Sequence, residues 1–164
     1  MTTPHWFLTA AACILVCGQP VAAADPSASE LAGILSGDAA GDAGDNPQCR
    51  LFTPDEIAGY LGVPVAPGAN AGMGMSCQWV ALEGYDDVMV TVVPAEYADS
   101  PSLAPGFRQV PSIGPDAYVA EDMGGWVAGV TTGPDFVKVS VSREGATADQ
   151  ALALLAEALK RRGK

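Results

Sequence analysis

Five acidic residues, Glu83, Asp86, Asp87, Glu121 and Asp122, stand in or beside segments rich in turn-forming residues. Paired carboxylates are what glycoside hydrolysis requires, provided two of them face each other across a cleft about 5 to 10 Å wide. Acids at turns more commonly serve backbone hydrogen bonds and solubility. Other chemistries find less material. The one histidine, His5, lies at the start of the chain. Without another, Ser-His-Asp and Cys-His catalysis are excluded in their usual forms, and zinc lacks its usual imidazole ligands. A Ser-Lys dyad would have to use Lys138 or Lys160, neither of which sits in a recognisable motif. Asp86, Asp87, Asp116, Asp122 and Asp135 could hold calcium if their loops gathered at one end of a sheet, but no EF-hand loop is present. The glycines of residues 68–74 lack the Lys and the strand-to-helix setting of a phosphate-binding loop. No catalytic residue, metal ligand or cofactor follows from these residues.

Aromatic residues are the better candidates for ligand contact. Trp126 follows Gly124 and Gly125 at a turn, and with Tyr118 and Tyr85 it could grip a peptide, sugar or lipid. Trp79 shares strand parity with Cys77, so packing beside that cysteine is its expected role.

The cysteines bear on compartment. Residues 7–16 form an apolar core of signal-peptide length, and Ala22 and Ala24 make a small-residue cleavage site that would leave Asp25 as the first mature residue. A membrane anchor is the rival reading, but the apolar stretch falls short of the roughly 20 residues a span needs. The amino-terminal flank carries no Lys or Arg. Lipidation at Cys17 would need a small residue just before it, where the chain has Ile14, Leu15 and Val16. Cleavage after Ala24 removes Cys13 and Cys17 and leaves Cys49 and Cys77, an even number for an oxidising compartment. A bridge between them is expected, with two buried thiols as the alternative. The expected location is the periplasm or the extracellular space.

The formal net charge is −11, from 8 basic and 19 acidic residues, all of them after Ala24. Nucleic acid and anionic membrane surfaces are therefore poor partners. Residues 25–48 carry five acids and no base, with few large apolar side chains, and read as a flexible tether. Residues 49–162 suit one domain with one core.

Within that domain a helix starts at Thr53, with Pro54 in the first helical position, Glu56 completing a capping box, and Gly62 ending the helix. Residues 63–74 read as a loop. Alternation over 77–82 and the apolar run 88–93 predict a hairpin around Glu83-Gly84-Tyr85-Asp86. Strands follow at 118–121, 126–131 and 136–142. Thr147 and Gln150 form a second capping box, opening a helix with the apolar stripe Ala151, Leu152, Leu155, Ala158 and Leu159. The pattern predicts an α+β fold: a single antiparallel sheet of about five strands, with an N-terminal and a C-terminal helix packed on one face.

Cys49-Arg50-Leu51-Phe52-Thr53 with Glu56-Ile57 and Leu61-Gly62, then Cys77-Gln78-Trp79, then Ile113-Gly114-Pro115-Asp116-Ala117-Tyr118, resembles the bacterial envelope proteins grouped as domain of unknown function 3558. The resemblance implies a small exported α+β domain, often lipid-anchored, without established enzymatic activity and without catalytic residues to carry over. The chain departs from that pattern at Cys17, which lacks the small residue before it. The functional expectation is a monomeric, non-enzymatic binding module for an envelope protein, peptide, lipid or glycan. A carboxylate-dependent hydrolase of envelope polymer is the alternative. A hydrolase inhibitor using residues 63–74 as its plug is a third reading.

Overall fold

A computed structural model describes residues 43–163. The cleavage site at Ala24 and Asp25, Cys17, and most of the expected tether lie outside the described residues.

The first helix, α1 (Pro54–Leu61), begins as its residues dictate. Thr53 Oγ1 accepts from the Glu56 N–H, the Glu56 carboxylate accepts from the Thr53 N–H, and Gly62 closes the helix at φ 76°. Seven strands follow: β1 (Ala69–Ala71), β2 (Ser76–Val80), β3 (Asp87–Pro94), β4 (Arg108–Gln109), β5 (Tyr118–Asp122), β6 (Gly125–Thr132) and β7 (Asp135–Ser142). They form one antiparallel sheet in the order β1-β2-β3-β7-β6-β5-β4. The last helix, α2 (Ala148–Arg162), has its own capping box between Thr147 and Gln150.

The sheet has seven strands rather than about five. The additional two are short edges, β1 and β4, whose pairing comes from register and not from propensity. Ala69-Asn70-Ala71 has no β-branched or aromatic residue to announce a strand, and Arg108-Gln109 is too short to show alternation.

Period-two alternation sorts each strand between two faces. Val137, Val139 and Val141 of β7, Val88 and Val90 of β3, and Cys77 and Trp79 of β2 share one core with Ile57 and Leu61 of α1 and Leu154 and Leu155 of α2. Both helices therefore lie on one face, α2 over β5 to β7 and α1 beside β3. On the opposite face a second, smaller cluster joins Tyr118 and Ala120 of β5, Val127 of β6 and Phe136 of β7 with Ala104 and Phe107. Gly129 makes room there, because a Cβ on it would sit 2.9 Å from both the Phe136 and the Tyr118 rings.

Cys49 and Cys77 are joined by a disulfide across a sequence separation of 28. Trp79 belongs to the same core as Cys77, and Gly68 lies against both, since a Cβ there would be 2.7 Å from the Cys77 sulfur and 2.8 Å from the indole nitrogen. The packed region also reaches back past Cys49. Asn46 and Gln48 are buried, and the Asn46 amide donates to the carbonyls of Ser76 (2.9 Å) and Gly74 (3.3 Å).

Candidate functional site

The strand registers divide the five acids of the sequence reading. Neighbouring residues on a strand point to opposite faces, so Glu121 and Asp122 cannot confront each other across a cleft. Asp87 and Asp122 do share a face and a cross-strand row, through Ser142 and Gly125. Between β3 and β5 lie β7 and β6, so their backbones are about 14 Å apart at the usual strand spacing. That exceeds the span either glycosidase mechanism uses. Four of the aspartates have structural partners. Asp86 pairs with Arg143 at 3.8 Å, Asp87 accepts from the Gln78 amide, and Asp135 pairs with Arg162 at 2.6 Å. Asp116 accepts from the Thr131 N–H, which pins the start of β5 to β6.

The five aspartates weighed for calcium separate as well. Asp86, Asp87 and Asp122 come to one end of the sheet, while Asp116 and Asp135 lie at the other. Among the described residues no group of three or more ligand-type side chains converges.

Among the aromatic candidates, Tyr118 is a core residue at 2 % exposure, stacked between Phe107 (6.0 Å) and Phe136 (6.4 Å). Burial pushes its phenol above the ordinary value, with the Asp99 and Asp122 carboxylates adding to the effect. Tyr85 is 98 % exposed at the β2–β3 turn. Trp126 lies on the helix face, opposite Val141 in register, whereas Tyr118 lies on the other face. Tyr118 thus belongs to a different surface from the other two. Tyr85 and Trp126 share one end of the sheet, because the β2–β3 turn, the β5–β6 turn and the link from β7 to α2 all emerge there.

Trp126 is half-buried and forms a wall of an open hollow of about 410 Å³. Glu121, Asp122, Met123, Pro105 and Ala146 line the rest, with the glycine turn as floor. Gly106 fixes the ring from behind, since a Cβ on it would lie 2.7 Å from the indole. Gly125 is equally constrained, as a Cβ there would run into the Val141 carbonyl. The indole N–H has no partner among the described residues and reaches the surface. No basic side chain lines the hollow. A second, larger hollow of about 520 Å³ lies at the opposite end beside Ile113 and Leu159, and the Arg162–Asp135 ion pair forms part of its wall.

Residues 65–71 are largely tied to the sheet, while the turn at 72–74 carries Met73 at 82 % exposure. Val65 bridges Ala81, the Ala66 N–H donates to the Val80 carbonyl (2.8 Å), and β1 pairs along β2. The sequence reading missed two contributors to the Trp126 end. Met123 is 92 % exposed at φ 43°, and Leu82 is 66 % exposed. A methionine in front of Gly124-Gly125 could have signalled the first, because a turn needs no exposed thioether.

Compared with known protein families and with curated proteins, the sequence matches none.

Proposed function

We propose that this chain is an exported, non-enzymatic binding module that contacts its ligand at Trp126. The observation that carries the reading is the Trp126 hollow. It has a half-buried aromatic wall, an unengaged indole N–H, and about 410 Å³ of open volume, a size suited to a side chain or small ligand. The disulfide suits an oxidising compartment, and no helix among the described residues is long and apolar enough to cross a membrane. Membership of domain of unknown function 3558, suggested by the short motifs between Cys49 and Tyr118 and matched by no family comparison, is part of the same proposal.

A hydrolase finds less support, since Glu121 and Asp122 point to opposite faces of β5 and the Asp87 and Asp122 backbones stand about 14 Å apart. An inhibitor acting through residues 63–74 would need a long projecting loop, and most of that segment is paired to the sheet, leaving only the Met73 turn exposed.

The test uses the exported protein and its Trp126→Ala variant as baits against separated peptide, lipid and glycan fractions of the envelope. Saturable binding to one fraction by the wild type, lost in the variant at unchanged thermal stability, is the expected result. Equal capture by both proteins, or none by either, overturns the proposal.

A further inference from the structure

The end of the sheet that carries Trp126 differs in charge from the rest of the molecule. Its three connections and the strand ends leading into them hold Glu83, Asp86, Asp87, Glu121, Asp122 and Glu144 against one base, Arg143. That base is engaged by Asp86 (3.8 Å) and by the Leu61 carbonyl. Glu83, Glu121, Asp122 and Glu144 make no ion pair among the described residues. By contrast, the basic residues Lys160, Arg161 and Arg162 sit at the far end of α2, each paired with an acid.

The same end also exposes apolar side chains. Met123 (92 %) lines the Trp126 hollow, and Leu82 (66 %) and Tyr85 (98 %) project from the β2–β3 turn at the same end of the sheet. Turn positions do not require such residues, and their exposure costs solubility unless something covers them. Apolar and aromatic anchors within an unpaired acidic rim are the complement of a polypeptide that alternates Lys or Arg with apolar residues.

Resting on the Trp126 reading above, we propose that this acidic end docks a basic segment of a partner protein. A Lys or Arg side chain of that segment would enter the hollow, with its alkyl stem on the indole and its charge at Glu121, which stands opposite Trp126 in register, while Asp122 on the rim adds to the attraction. The apolar neighbours of that side chain would cover Leu82, Tyr85 and Met123. Long-range attraction from the acidic end would speed encounter and make binding sensitive to salt.

The probe is a short acetylated and amidated peptide of repeated Ala-Lys-Leu-Lys, with a Glu-for-Lys counterpart as control. Binding is read from Trp126 emission in the full exported chain, with Trp126→Phe reporting the background of buried Trp79. A saturable emission change is expected with the Lys peptide alone, weakening as salt rises. The double variant Glu121→Gln with Asp122→Asn should bind about tenfold more weakly, or about 1.4 kcal/mol. Both substitutions lie on the exposed rim, and an unchanged melting temperature confirms that the variant is folded. Equal binding of the two peptides, or unchanged affinity in the double variant, overturns the basic partner. If an envelope glycan or lipid fraction shifts Trp126 emission and the Lys peptide does not, the basic partner falls while ligand contact at Trp126 stands. If no fraction and no peptide moves the emission, both fall.

Discussion

Arg161, near the end of α2, forks onto Glu56, in the first turn of α1, across 105 residues of sequence. Nη1 donates to Oε2 at 2.9 Å and Nη2 to Oε1 at 2.8 Å. The same carboxylate accepts from the Thr53 N–H at 2.8 Å, so one side chain both caps α1 and anchors α2 to it. Arg161 also donates to Glu157 (2.8 Å) and to the Leu51 carbonyl (2.5 Å), and its guanidinium lies 4.6 Å from the Phe52 ring centroid. The helices that flank the sheet are thereby latched together at their outer ends.

That latch contributes to the acid limb of stability. The Arg161 guanidinium, with the Thr53 N–H, lowers the Glu56 carboxyl from an ordinary 4.5 to about 2. A depressed carboxylate contributes its full share above the unfolded value and loses it as pH falls toward the folded one. Melting temperature should therefore fall as pH drops from about 5 to about 2. Glu56→Gln keeps a capping side chain but removes the charge, so it should lower the melting temperature at pH 7 and flatten the acid limb. Parallel acid limbs in the two proteins would remove Glu56 from this role.

The disulfide restrains the chain between the start of the domain and β2, and with it the α1 segment it encloses. Replacing both cysteines by Ser should cost roughly 2 to 5 kcal/mol, read as a lower denaturant midpoint. Unfolded wild-type protein should show no titratable thiol from Cys49 or Cys77. Two thiols per unfolded chain would contradict the bridge.

Much of the fold was legible because local signals agreed with their tertiary uses. Thr53 with Glu56 and Thr147 with Gln150 form capping boxes in the structure, and the valine alternation of β7 separates core from opposite face. Edge strands escaped because pairing with a neighbour, not composition, creates them. The Trp126 site was half legible. Its ring and glycine turn stood out, but the gathering of three connections at one end depends on strand order, which spacing does not encode. Tyr118 misled for a related reason: a strand tyrosine reads the same whether a covering segment such as the one bearing Phe107 lies over it or not.

Export predicts a defined mature terminus. Signal cleavage after Ala24 should give exported protein beginning at Asp25, measured by N-terminal sequencing or intact mass. A terminus at Cys17 carrying a lipid would replace that reading with an anchored one.

Two glycines offer a paired test of the sheet face opposite the helices. Gly129 underlies the Tyr118 and Phe136 rings, and a methyl group there would meet both at 2.9 Å. The rings are wedged between the sheet and Phe107, which stacks on Tyr118, so they cannot lift without opening this second core. Gly129→Ala should therefore cost about 1 to 3 kcal/mol. Gly59, in the middle of α1, would place an added methyl group with nothing within 4 Å of it, on an ordinary helical backbone. Gly59→Ala should stabilise by about 0.5 to 1 kcal/mol through helix propensity. Chemical denaturation of both variants separates the two effects. A neutral Gly129→Ala would mean that the aromatic stack is loosely seated and that Tyr118 is freer to move than its burial implies.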